Sequence, residues 1–177
     1  RDAVQDILVA AMPGPEPIRY GTTVTATIEQ ADQVLVQFSD GSQGNFDLVV
    51  GADGFRSAIR AMCFGPPEQY LRPLGYRAAA WRLPLPAGMT SSFIGVMDVD
   101  LQGGLYDVGD GSAATLFCWR DEDTARVPPE WRADILRRHF GHWANPVGGT
   151  VVTEIDWQRG FFDTIAQVEM PSWSKGR

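Results

Sequence analysis

The residues of this chain best suited to chemistry lie in one short stretch, DLVVGADGFRSAIR, at positions 47–60. Two glycines surround Asp53 and let the backbone turn sharply and lie close to a ligand. The Asp53 carboxylate can accept hydrogen bonds from hydroxyl or amide groups, and Ser57 can cap a helix that follows the turn. Arg56 and Arg60 are one helical turn apart, so their guanidinium groups can share a face that suits a diphosphate. A capped junction between strand and helix, with solvated arginines, is the alternative interpretation.

This turn must be positioned by the strand that precedes it. In the run FDLVV, at positions 46–50, apolar residues occupy both sides of the strand, which predicts a strand buried on both faces. Open α/β sheets bind their ligands at the carboxyl ends of strands. The turn around Asp53 is therefore expected at a ligand-binding edge.

An amphipathic helix and a β-meander come before this strand. Apolar residues at helical spacing predict a helix over residues 2–12, which the following PGPEP segment ends. Three later runs, TTVTATIEQ, QVLVQFSDG and GNFDLVV, are rich in β-branched residues, alternate in polarity and include the turn signal Asp40-Gly41. They predict an antiparallel meander that leads into the strand before Asp53.

A second sheet is predicted to begin near residue 74, after a proline-rich crossing. Its strand-like segments are YRAAAWRLP, SFIGVMDVD, GGLYDVG and AATLFCWR, and GTVVTEIDW and FFDTIAQVEM read as two further strands or a strand and a return segment. The segment PPEWRADILRRHF predicts a covering helix with Trp131, Ile135, Leu136 and Phe140 on one face. Most aromatic residues of this region are expected in the core.

Composition and charge exclude several classes of protein. The 177 residues, 44% of them apolar, suit one or two compact domains, and a net charge of −7 argues against nucleic-acid binding. No apolar run reaches the roughly 18 residues of a membrane span, so a cytoplasmic protein is expected. Cys63 and Cys118 are predicted to be free thiols, and His139 and His142 lack further ligands at metal-binding spacing.

The stretch DLVVGADGFRSAIR resembles the Asp-Gly motif of the FAD-dependent aromatic hydroxylases, the p-hydroxybenzoate hydroxylase-like flavoprotein monooxygenases. Arg1, with Val4 and Leu8, fits the helix that carries a flavin-contacting arginine in that family, and WSKGR at 173–177 fits its W-x-x-GR segment. The resemblance implies cofactor contacts at the following residues: Arg1, Asp53, Gly54, Ser57 and Arg60. It implies FAD and NAD(P)H as cofactors.

The family's Gly-x-Gly-x-x-Gly loop and its Gly-Asp motif are both absent from the sequence, so we expect the central portion of a longer enzyme. The expected fold class is α+β. Residues 1–70 are predicted to form part of an FAD-binding α/β domain, 71–170 a substrate-binding β-sheet domain covered by a helix, and 171–177 a return segment. Alone, the chain is expected to be inactive, to hold no FAD tightly and to self-associate through exposed edges.

The activity implied by the resemblance is hydroxylation of an organic, ring-containing small molecule, with the flavin carrying the reaction and no catalytic side chain required in this stretch. In that family one face of the sheet covers the substrate, and strand alternation favours Trp81, Met97 and Phe117 as pocket residues. Two alternatives stay open. One is a flavin-dependent reductase or halogenase of the same superfamily, and the other is a non-catalytic binding module.

Overall fold

A computed structural model of the chain describes residues 2–12, 18–151, 156 and 160–177. It divides into two compact units. The first comprises the residues up to 69 together with 171–177, and the second comprises residues 70–170. Arg1 lies outside the described residues, as does most of the strand predicted over 149–157.

The first unit contains a small antiparallel sheet in the order β1, β2, β3. Its elements are α1 (Asp2–Ala10), β1 (Val24–Glu29), β2 (Val34–Phe38), β3 (Gln43–Phe46), α2 (Ala58–Phe64) and a 3-10 turn (Pro67–Gln69). Val34 and Val36 of the central strand are buried and form the apolar centre of the sheet. The predicted opening helix and meander are thus confirmed.

The buried strand predicted over FDLVV does not form. β3 ends at Phe46, and residues 47–50 have no strand conformation. Leu48 is 63% exposed and Val50 is 74% exposed. A strand needs a hydrogen-bonded neighbour, and no described strand pairs with residues 47–50. The prediction of a doubly buried strand before the turn is therefore wrong for the described part of the chain.

The second unit is built on an antiparallel sheet in the order β6, β7, β8, β4, β9, with β5 also paired to β8. Its elements are β4 (Leu71–Ala80), β5 (Arg82–Pro84), β6 (Phe93–Asp98), β7 (Leu101–Asp107), β8 (Ser112–Arg120), α3 (Pro129–Phe140), α4 (Val147–Thr150) and β9 (Phe161–Val168). The α+β fold class and the sheet predicted after the crossing are both confirmed.

The core of this unit lies on one face of the sheet. Phe117 and Trp119 of β8 are fully buried, and they pack with Leu136 and Phe140 of α3. The Phe140 ring lies 4.7 Å from the Phe117 ring and 5.8 Å from the Trp119 ring, centroid to centroid. Side chains alternate along a strand, so the β8 residues adjacent to Phe117 and Trp119 point to the opposite face of the sheet. We call this the open face.

One residue of the α3 face differs from expectation. Trp131 is 65% exposed, whereas Arg132 is buried on the side of Leu136 and Phe140. The Arg132 guanidinium lies over the Phe162 ring at 5.5 Å, and its Nε donates a hydrogen bond to the Val127 carbonyl. The methylene groups of an arginine can cover apolar surface while its guanidinium group bonds to an acceptor. Arg132 therefore takes the buried position on α3 that was predicted for Trp131.

No helix in the described part of the chain is long and apolar enough to span a bilayer.

Candidate functional site

The turn after residue 50 uses its two glycines for different physical reasons. A Cβ atom on Gly51 would lie 2.8 Å from Cγ2 of Ile59, so a side chain there would clash with the start of α2. Gly54 has a φ of +83°, a conformation that other residues rarely adopt, and it has open space around it. The first glycine therefore permits close packing, and the second permits the change of direction.

The carboxylate of Asp53 accepts hydrogen bonds from the start of the helix that follows it. Its Oδ1 accepts a hydrogen bond from the Ser57 hydroxyl, and its Oδ2 accepts from the backbone amides of Ala58 at 2.6 Å and Ile59 at 3.1 Å. Ser57 in turn caps α2 by accepting from the Arg60 amide at 2.8 Å. The capping role predicted for Ser57 is confirmed, and Asp53 shares it.

These contacts also set the charge of the carboxylate. Partial burial raises the pKa of Asp53, but hydrogen bonds from the Ser57 hydroxyl and from the amides of Ile59 and Ala58 outweigh it. The net result is a pKa below the ordinary value of 3.8. Asp53 is therefore an anion near neutral pH, and its charge faces the amino end of α2, where negative charge is favourable.

The amides at the start of α2 are consumed within the turn. Those of residues 58 and 59 bond to Asp53, that of Arg60 bonds to the Ser57 hydroxyl, and that of Ala61 bonds to the Ser57 carbonyl at 3.3 Å. The helix also has only seven residues. A diphosphate held by these helix amides does not fit this arrangement.

Arg60 has a hydrogen-bond donor that is not used within the turn, unlike the helix amides. It is 6% exposed, and its Nη2 donates to the Phe55 carbonyl at 2.7 Å. Its Nε has no hydrogen-bond partner within the described ranges, although it is buried. A buried cation with an unused N–H is costly unless an acceptor is supplied, and a phosphate oxygen is a suitable one.

Arg56 and Arg60 do not share a face. Arg56 is exposed, and its guanidinium lies 5.7 Å from the Phe55 ring centroid. The spacing of four residues predicts a common face only when both residues are helical, but α2 begins at Ala58. Arg60 is therefore the arginine of this pair that could hold an anion from inside the turn.

The WSKGR segment docks within the first unit through contacts that sequence reasoning did not find. Lys175 Nζ donates to the Cys63 carbonyl at 2.7 Å. Gly176 has a φ of +59°, and a Cβ atom on it would meet the Glu29 carboxylate. The glycine is the signal in the sequence, because a side chain is strained at this positive φ.

The three predicted pocket residues lie on different faces of the second unit. Trp81 is 5% exposed and Phe117 is fully buried, and their rings stack at 5.2 Å inside the core. Met97 is 79% exposed and lies on the open face. One pocket cannot be lined by all three, because strand alternation and the covering helix place Phe117 on the core side.

The open face carries a set of partly exposed apolar side chains. Cross-strand register places these residues together on it: Phe93 and Met97 of β6, Tyr106 of β7, Leu116 of β8, Tyr76 of β4, and Phe161 of β9. Exposed apolar side chains gathered on one face can mark a binding surface.

Comparison with known proteins places these features in context. No family model matches the chain. A flavin-dependent monooxygenase of Legionella longbeachae is 29% identical over 175 residues, which cover 91% of this chain and 42% of that protein. An FAD-dependent urate hydroxylase of Klebsiella pneumoniae is 30% identical over 158 residues, which cover 76% of this chain and 35% of that protein. The chain thus spans less than half the length of these relatives.

Solved structures give the same result. The crystal structure of the tetracycline destructase Tet(51) matches with a TM-score of 0.77 and 28% identity, over 97% of this chain and 47% of its own. Klebsiella pneumoniae HpxO, complexed with FAD and uric acid, matches with a TM-score of 0.67 and 27% identity, over 84% and 38%. These comparisons confirm the resemblance to the FAD-dependent aromatic hydroxylases, which are FAD-dependent oxidoreductases.

Proposed function

We infer that this chain is the central portion of an FAD-dependent, NAD(P)H-using monooxygenase that hydroxylates a ring-containing organic molecule. The likeness of nearly the whole chain to less than half of several flavin-dependent enzymes supports this assignment. In it, residues 1–70 with the return segment 171–177 contribute part of the FAD-binding domain. Residues 71–170 contribute the substrate domain.

The observation that carries the proposal is the buried Arg60 guanidinium with an unused Nε. Its fit to FAD rests on chemistry: a dinucleotide presents diphosphate oxygens, which are strong acceptors for a guanidinium. When bound, FAD supplies the redox chemistry, taking electrons from NAD(P)H and using dioxygen. Arg60 would hold one side of the diphosphate.

Asp53, Gly54 and Ser57 act on the cofactor through Arg60 in this proposal. Gly54 turns the backbone, and Asp53 and Ser57 fix the first turn of α2, from which the Arg60 side chain extends. Their contribution is to keep the guanidinium in place before the cofactor arrives, which lowers the entropic cost of binding. Arg1, which precedes α1 in the sequence, is proposed as a further flavin contact by resemblance alone.

The open face of the second unit is the proposed substrate surface. It presents Met97 and several aromatic rings, whereas Trp81 and Phe117 support it from the core side. The apolar side chains of this face suit a ring-containing molecule, and they exclude water from the reacting atoms once covered. Uric acid, the molecule bound to HpxO, is a small flat ring compound of this class.

The test compares Arg60→Gln with Arg56→Gln in the full-length protein. Losing one charge-assisted hydrogen bond costs on the order of 1.5 to 3 kcal/mol, so Arg60→Gln should weaken FAD binding about 10- to 100-fold. Arg56→Gln, at an exposed position in the same turn, is the matched control and should change the affinity little. Flavin retained after dialysis and NAD(P)H oxidation are the measurements.

Two outcomes would contradict the proposal. Equal and negligible effects of both substitutions would mean that neither guanidinium group contacts the cofactor. A full-length protein that retains no flavin and oxidises no NAD(P)H would favour the binding-module alternative.

A complementary measurement is titration of FAD into the isolated 177-residue chain, where we expect no saturable binding at micromolar concentrations because the glycine-rich diphosphate loop is missing.

A further inference from the structure

The ring of Phe93 lies over two glycines on the open face. Gly95 follows it on β6, and Gly104 is the residue of β7 that pairs with Gly95. A Cβ atom on either glycine would lie 2.8 Å from the Phe93 ring, at its ζ carbon for Gly95 and at an ε carbon for Gly104. The absence of both side chains is what lets the ring rest on the backbone.

Tyr106 supports the ring from one side. It pairs with Phe93 across the two strands, and their ring centroids are 4.6 Å apart with an interplanar angle of 32°. Phe93 remains 49% exposed and Tyr106 remains 41% exposed. The pair therefore presents aromatic surface outward while its inner surface is fixed against the sheet.

Glycine within a strand weakens it, and a paired glycine on the neighbouring strand removes cross-strand side-chain contact as well. Packing within this unit does not require the ring to be there, because the core lies on the other face. The two glycines instead create a low, flat area whose surface is one aromatic ring, with Met97 and Leu116 as its apolar rim. Flat aromatic surface is suited to offset stacking with another planar ring.

We propose that Phe93, held over the Gly95–Gly104 pair and supported by Tyr106, is a stacking platform that determines specificity for substrates with a flat, fused ring. The inference rests on the proposed function, since it names the substrate class of the same open face. The occupant is a small planar molecule, because the ring platform is a single phenylalanine wide and the rim side chains are apolar.

The experiment measures binding by isothermal titration calorimetry in the full-length protein, both loaded with FAD and stripped of it. The probes are 2-naphthoate, which is planar and fused, and cyclohexanecarboxylate, which carries the same charge on a puckered ring. The variants are Phe93→Leu, which keeps apolar volume without a ring, and Gly95→Ala, which keeps the ring but forces it to move. The matched control is Trp131→Leu, a 65% exposed aromatic residue of α3, the helix that packs on the opposite face of the sheet.

We expect Phe93→Leu and Gly95→Ala to weaken 2-naphthoate binding by roughly two- to tenfold, the range that ring stacking adds to apolar contact. Trp131→Leu should leave it unchanged, and binding of cyclohexanecarboxylate should respond to none of the three substitutions. Gly95→Ala is expected to fold normally, because only the free end of an exposed side chain must shift.

Equal affinity for 2-naphthoate in the parent and both platform variants would overturn the proposal, as would failure of the parent to bind 2-naphthoate. A protein that retains no flavin yet shows the Phe93-dependent preference would contradict the proposed function while leaving the platform intact. The two failures are thus distinguishable.

Discussion

Replacing Asp53 by alanine should loosen the first turn of α2 without unfolding the chain. The substitution removes the acceptor for the Ser57 hydroxyl and for the amides of Ala58 and Ile59. Loss of a helix cap costs about 0.5 to 2 kcal/mol, and hydrogen bonds to charged groups about 1.5 to 3 kcal/mol. Because Asp53 is exposed and solvent screens its charge, we expect a loss of about 1 kcal/mol.

The pH dependence of this loss follows from the lowered pKa of Asp53. A carboxyl group with a pKa lowered on folding stabilises the folded state fully above its unfolded value, near 3.8. That stabilisation disappears as the pH falls through the folded-state pKa. The difference between parent and Asp53→Ala should therefore be full at pH 7 and should shrink below pH 3.8.

Native-state hydrogen exchange is the appropriate assay, because it reports local opening amide by amide. A loss of about 1 kcal/mol corresponds to roughly fivefold faster exchange at Ala58 and Ile59. Asp47→Ala, an exposed aspartate of the same stretch, is the control and should leave these amides unchanged. Unaltered exchange at both amides in Asp53→Ala, or a difference of the same size at pH 2 and pH 7, would refute the reasoning.

Three further outcomes are expected. Arg77→Met should lower the free energy of unfolding of the second unit by about 3 kcal/mol in urea titrations, because a 2% exposed guanidinium loses its ion pair with Asp121 and two loop carbonyls. Arg82→Met, which breaks an exposed ion pair, should cost much less. Burial lowers the pKa of His139 below its ordinary 6.5, against the opposing charge of Asp121, so stability should fall more steeply in the parent than in His139→Gln as the pH drops below about 6.5. Gly176→Ala should make the return segment more sensitive to limited proteolysis, because alanine is strained at a φ of +59°.

Local patterns predicted most of the fold. Alternating β-branched runs and the turn at Asp40-Gly41 gave the meander, and helical spacing gave α3, because these elements are specified by neighbours within a few residues. The prediction of a strand over residues 46–50 was wrong because that strand would depend on distant residues. Whether an apolar segment becomes a strand depends on a hydrogen-bonding partner, and no pattern within the segment reveals whether one exists.

The candidate site was predictable in its residues but less so in their roles. The sequence allowed a turn and a helix cap to be recognised at the glycines, Asp53 and Ser57. Spacing could not show that both carboxylate oxygens of Asp53 accept hydrogen bonds from the start of α2. Nor could it show that Arg60 is buried while Arg56 is exposed, since this depends on where the helix begins. Trp81 and Phe117 were assigned to the wrong face for a pocket with Met97, because alternation gives two faces without saying which one a helix covers.

The separation of the two sheet faces affects how such a protein can evolve. Phe117 and Trp119 hold the unit together from one side, whereas Leu116 and its neighbours on the open face are partly exposed. Substitutions at sites that share no packing contacts tend to have additive effects. Residues of the open face, the substrate surface proposed above, can therefore be exchanged with little loss of stability. Sequence drift among relatives should accordingly be faster on even-numbered positions of β8 than on its odd-numbered ones.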